Sequence, residues 1–172
     1  NGYPEECYFT FSYSPIHDET NKVGGIFSAV TETTEEVIGE RQLTTLANLA
    51  KAISDTDQES DVFEACLETM RQNPEDFPFA AIFQVSGNGK IFSLAGQTTG
   101  LVNQFPDQPD LQNNKALFLA LTEAVQAKKP VLIDNINNHF TDLPTGAWQQ
   151  QPNDLWIIPV NYGTSDFPAA II

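Results

Sequence analysis

Aromatic and small polar residues alternate along Tyr8-Phe9-Thr10-Phe11-Ser12-Tyr13-Ser14. That is the period of a β-strand with one buried face. A polar turn over His17-Asp18-Glu19-Thr20-Asn21-Lys22 leads into a second strand, Val23 to Val30, and Thr31-Glu32-Thr33-Thr34-Glu35-Glu36 has the capping chemistry of a helix start. A lone two-stranded hairpin is marginal in water. The ribbon is therefore expected to be the tail of a larger sheet, and the chain to be cut from something longer.

The next periods are helical. Glu35 to Ser54 reads as one helix in which Leu43, Leu46, Ala50 and Ile53 share a stripe at spacings of three, four and three. The same spacing suits the seam of a two-helix coiled coil or packing onto the domain that follows. Asp55 to Asp61 is a polar break with a superficial calcium-loop look. Ser60 stands where such a loop needs Gly and Cys66 where it needs the bidentate Glu. Ser60 is instead expected to cap a helix with the buried stripe Val62, Phe63, Cys66, Leu67 and Met70, ended by Asn73-Pro74.

Period two then returns. Phe79 to Val85 and Lys90 to Gly96 flank Asn88-Gly89, the strongest short-range hairpin signal in the chain. The Gly-x-Gly-Lys around it is no phosphate loop, since Ile91 follows where Ser or Thr is required. Gln97 to Leu111 is rich in Gly, Pro, Gln and Asp and reads as loop. Asn113 or Asn114 is expected to cap a helix running to Lys128 with the stripe Ala116, Leu117, Leu119, Ala120, Leu121 and Val125. Strands follow at Pro130–Asn135, Leu155–Val160 and Phe167–Ile172, with an irregular stretch from Asn137 to Asp154.

Charge narrows the partners. Eight Lys and Arg against 23 Asp and Glu give a formal charge of −15, which repels nucleic-acid backbones and anionic lipid. Two widely spaced cysteines, Cys7 and Cys66, make no disulfide framework and point to a reducing compartment. No Asn-x-Ser/Thr occurs, and the apolar runs are too short to span a bilayer. The expectation is a cytoplasmic piece with no nucleic-acid and no membrane partner.

The order helix, helix, strand, Asn-Gly hairpin, strand, loop, helix, strand, long loop, strand, turn, strand resembles that of a GAF domain over residues 43–172. The supporting segments are Phe79–Val85 with Ile91–Leu94, Ala124–Asn135, and the apolar-Pro-apolar strand Leu155-Trp156-Ile157-Ile158-Pro159-Val160. Tyr8 to Leu46 resembles the last two strands of a PAS domain entering its exit helix, on the strand Tyr8–Ile16, Gly24-Gly25-Ile26-Phe27, and Thr31–Glu35 with Gly39-Glu40-Arg41. Such junctions are found in bacterial multidomain sensor histidine kinases. The resemblance implies an α/β (α+β) fold: a GAF-like antiparallel sheet flanked by helices, preceded by a PAS-derived β-hairpin (residues 1–34) and a connecting helix (35–54). It implies a regulatory module without catalysis of its own, in a histidine kinase or in a phosphatase, cyclase or transcription regulator.

Candidate chemistry is sparse. Neither His17 nor His139 has a Cys or carboxylate at zinc-ligand spacing, so no metal and no cofactor are expected. No cysteine follows Gln97, which removes the bilin attachment some GAF domains use, and Cys66 stands alone where sulfoxide-reducing relatives need several. The resemblance places a small-molecule pocket between the sheet and its covering helix and loop. Phe83, Phe92, Asp134, Asn135, Phe140, Trp148 and Trp156 are its candidates; the alternative is that the aromatics fill the core and Asp134 closes a turn. Leu43, Leu46, Ala50 and Ile53 are the candidates for a homodimer contact through the connecting helix.

Overall fold

The computed structural model describes residues 5–55, 59–87, 89–98, 100–101, 105–160 and 169–171. The chain divides into two compact units, Asn1–Leu46 and Ala47–Ile172, and the division falls inside one helix.

In the first unit, β1 (Phe9–His17) and β2 (Val23–Glu32) form an antiparallel two-stranded sheet. Its turn is built by Asp18, whose Oδ1 accepts from the Thr20 N–H at 2.8 Å, the Thr20 hydroxyl at 2.7 Å and the Lys22 N–H at 2.9 Å. Asn21 supplies the left-handed residue, φ 63°. The register pairs Phe11 with Val30 and Pro15 with Ile26, so Phe9, Phe11, Tyr13, Ile26 and Val30 share one face. The strands form as the alternation predicts, but that face is not buried: Phe11 is 54% and Tyr13 70% exposed. Two strands alone have nothing to pack it against.

Helix α1 (Thr34–Ser54) begins after Thr33, whose carbonyl accepts the Val37 N–H. Along α1, Thr45 is buried and Val37, Ile38, Arg41, Leu49 and Ala52 are half-buried. The apolar stripe faces out: Leu43 is 69% and Leu46 62% exposed, with Ala50 and Ile53 also exposed.

The second unit is built on a five-stranded sheet in the order β4-β3-β7-β6-β5, every pair antiparallel. Its strands are β3 (Ala81–Ser86), β4 (Ile91–Gln97), β5 (Val131–Ile133), β6 (Leu155–Val160) and β7 (Ala169–Ile171). Alternation along β3 sends Ala81, Phe83 and Val85 to one core and Ile82 to another. Helix α2 (Glu59–Arg71) covers the Ile82 side with the whole stripe Val62, Phe63, Cys66, Leu67 and Met70. Because the helix begins at Glu59, Ser60 is already within it rather than at its cap; residues 56–58, which precede it, lie outside the described residues. Gly96 lets α2 and β4 approach, since a Cβ there would stand 2.6 Å from Leu67 Cδ1. Arg71 ties the helix end to β4 by donating to the Gln97 carbonyl at 3.2 Å.

Helix α3 (Lys115–Ala127) covers the other side with Leu117, Ala120, Leu121 and Ala124. Two expectations about it fail. Leu119 is exposed, because its place on the helix turns it away from the sheet. Neither Asn caps the helix: Asn114 sits at φ 64° and makes no side-chain cap bond, while Asn113 is bound to Asp110, whose Oδ1 accepts its N–H at 2.6 Å. A capping residue ordinarily has β-region backbone, and the left-handed turn at Asn114 removes that geometry. The Asn-Gly hairpin has a loop of four residues between Ser86 and Ile91, with Gly87 and Gly89 at positive φ and Asn88 outside the described residues.

Candidate functional site

The connection from β5 to β6 is where the long loop meets the sheet. Asn135, at φ 53°, starts a single 3-10 turn, Ile136–Asn138, that buries Ile136 and directs Phe140 inward. Phe140 meets Phe105 at 5.1 Å between ring centroids; Phe105 in turn stands 6.2 Å from both Phe79 and Phe83. Such edge-on and tilted contacts between rings add to the burial they accompany. Further along, Gly146 crosses the α2–β3 connection so closely that a Cβ would run into the Pro74 carbonyl and stand 2.7 Å from Pro78 Cα. The Trp148 indole N–H donates to the Glu75 carbonyl at 2.8 Å and fastens the loop there.

The seven pocket candidates do not converge. Phe83, Phe92 and Phe140 are buried in the core beneath α3. Asp134 and Asn135 are exposed at the end of β5. Trp156 is 54% exposed, on the opposite side of β6 from the buried Leu155 and Ile157 and paired in register with Leu132. Trp148 lies on the outer loop. The space between sheet and loop is occupied by Phe105, which sequence reasoning assigned to an undifferentiated loop. A lone aromatic among Pro and Asp was the only signal for it.

Among the described residues, a concavity lies elsewhere. A wide-open cleft of about 570 Å³ is lined by Asn114, Lys115, Ala116, Leu119, Asn138 and His139. It joins the start of α3 to the 3-10 turn. No carboxylate is among its lining residues, and the first turn of α3 carries no acid and no side-chain cap. The first backbone N–H groups of a helix have no partner within it and carry a partial positive charge. With Lys115 and His139 beside them, the cleft is chemically suited to an anionic group on a small molecule. Leu119 and Ala116 offer the apolar wall. The signal in the sequence was Leu119 itself: the 100° step of a helix sets it on the far side from Leu117, Leu121 and Ala124, whereas its apolar character alone places it in the stripe.

Reactive groups are few. Cys66 is buried, and burial pushes its thiol above the ordinary cysteine range, which makes it a poor nucleophile; Cys7 is exposed. Among the described residues no group of three or more His, Cys, Asp or Glu is placed to hold a metal ion. Among them, too, no helix is long and apolar enough to cross a membrane.

No family model matches the sequence, and no curated protein matches it. Among solved structures, the chain is similar to the GAF domain of an Acinetobacter phosphoenolpyruvate-protein phosphotransferase. The TM-score is 0.50 at 17% identity, over 76% of this chain and 75% of that one. At that identity the likeness speaks to architecture alone. This is a GAF-like α+β fold, an antiparallel sheet with helices packed on its faces.

Proposed function

We propose that the chain is a sensory or regulatory module of a bacterial signal-transduction protein, with no catalytic activity of its own. In this reading the ribbon is the end of a PAS domain, α1 is the connector, and the GAF-like unit is a receptor. The PAS-like junction favours a sensor histidine kinase as the parent. The structurally similar GAF domain belongs to a phosphotransferase, which keeps other outputs in play.

The observation that supports the relay is the orientation of α1. Its apolar stripe Leu43, Leu46, Ala50 and Ile53 is exposed, while Thr45 is buried. A second copy of the helix fits such a stripe. Burying the exposed parts of Leu43, Leu46 and Ile53 on two copies contributes roughly 10–15 kcal/mol at ~25 cal/mol per Å². Association costs about 4–15 kcal/mol, so the dimer is expected to be weak. Light scattering should show a mass that rises with concentration and stays monomeric in Leu43→Glu. A strict monomer at the highest attainable concentration would remove the dimer relay.

The cleft supports a second reading, a small-molecule receptor that takes an anionic ligand at Lys115 and His139. Thermal-shift screening with nucleotides, amino acids and aromatic carboxylates tests it. Stabilisation by an anionic member, lost in Lys115→Ala, is the expected result. A flat response across all three classes argues against a receptor.

A further inference from the structure

Glu6 lies just before β1, and Arg41 lies two turns into α1. The guanidinium clasps the carboxylate with both arms, Nη1 to Oε1 at 2.6 Å and Nη2 to Oε2 at 3.1 Å. Both side chains are largely shielded, at 18% and 17% exposure. Tyr8 joins them, for its hydroxyl is held above the ordinary tyrosine range chiefly by its hydrogen bond to Glu6. Closer to the helix start, the Tyr8 carbonyl accepts the Thr33 N–H at 2.9 Å and the Tyr8 N–H donates to the Thr34 hydroxyl at 3.0 Å. The strand is thus fastened to the helix at two levels. Thr34 and Arg41 are seven positions apart, about 10 Å along the axis. One fastening would be a pivot, but two at that separation fix a direction.

The geometry points to a mechanical latch: the Glu6–Arg41 pair locks the β1–β2 ribbon to residues 34–46 of α1, so that the two swing as one lever. This rests on the relay reading above and names the residues through which displacement of the ribbon reaches the connector. A bidentate Arg–carboxylate fork resists rotation where a single point charge does not. Both residues are positioning residues, which act by orienting the ribbon on the helix.

The test is a distance distribution by pulsed EPR on the full chain, with Cys7→Ser and Cys66→Ala and spin labels at Ser12 and Gln42, both exposed. Diluted with an excess of unlabelled chain, so that only intrachain pairs are read, the parent should give one narrow distribution. Glu6→Gln and Arg41→Gln should each broaden it about twofold, and the reversed pair Glu6→Arg with Arg41→Glu should narrow it again. Unchanged widths in the single variants would overturn the latch, as would broadening that reversal does not repair. If loss of charge unfolds the ribbon, seen as lost amide protection in β1 and β2, Arg41→Lys decides. It keeps the charge but loses the fork, so it must broaden the distribution; a parent-like width overturns the proposal. A monomeric chain would remove the dimer relay without altering these widths, so the two failures are distinguishable.

Discussion

Phe140→Ala tests how the long loop is held to the sheet. The ring is buried, 5.1 Å from Phe105 at an interplanar angle of 63°; the His139 N–H closes the 3-10 turn on the Ile136 carbonyl at 2.8 Å, and the Phe140 N–H donates to the same carbonyl at 2.9 Å. Truncating a buried Phe to Ala costs about 3–5 kcal/mol in transfer and cavity terms. The lost ring pairing lies within that figure and is worth about 0.5–1.5 kcal/mol. Urea unfolding, followed by tryptophan fluorescence, reads the change. With a slope of about 2 kcal/mol per M, the midpoint should fall by roughly 1.5–2.5 M. Trp156→Ala is the control, because its side chain is 54% exposed and its loss should cost under about 1 kcal/mol. Trp148 remains as the reporter in that variant. Phe105→Ala should cost as much as Phe140→Ala, and the double variant should fall short of the sum by the pair term of about 0.5–1.5 kcal/mol. A loss below about 1 kcal/mol in Phe140→Ala would refute the reasoning. It would mean that the loop is held by its outer fastenings, Trp148 and Gly146, and not by this ring.

Two further outcomes follow from other parts of the fold. Gly146→Ala should lower the thermal midpoint by several degrees, because φ 61° disfavours any side chain and the new Cβ meets the rigid backbone at Pro74 and Pro78; an unchanged midpoint would show that the crossing relaxes freely. Acid should weaken the fold. Asp110 is held below the ordinary carboxylate range by the Asn113 and Gln112 N–H groups, Glu68 by its hydrogen bond to Arg71, and Asp18 by the Lys22 N–H. Groups whose folded pKa is depressed stabilise the native state above their unfolded pKa, and that stability is lost as pH falls through the folded one. The midpoint should therefore decline from about pH 5 downward, and less steeply in Asp110→Asn. An equal slope in parent and variant would remove Asp110 from the explanation.

Much of this architecture was legible before any coordinates. The α2 stripe from Val62 to Met70 is buried as its 3.6-residue period predicts, and β3 alternates between two cores as its period of two predicts. Both are local properties, since each side chain's direction follows from its position in one element. The candidate site was less legible. Phe83, Phe92 and Phe140 read equally as pocket wall or as core, because nothing local distinguishes an aromatic that lines a cavity from one that fills it; in the fold all three belong to the core. Phe105 does the filling, from a loop whose path no periodicity describes.

What chain pattern establishes here is which residues form strands and helices and which side of α2 or β3 must leave water. Whether a given apolar side finds cover is a different matter, because cover comes from segments distant in the chain. The aromatic side of the ribbon reads as a buried surface, and the Leu43–Ile53 stripe as either a dimer seam or a face packed on the next domain; in the folded chain both are exposed while Thr45 is buried. The insertion of β7 between β3 and β6, and the meeting of Lys115 with His139 in one cleft, likewise arise only when strands and loops far apart in sequence are brought together. Hydrophobicity acts on each residue alone, whereas packing is a property of pairs.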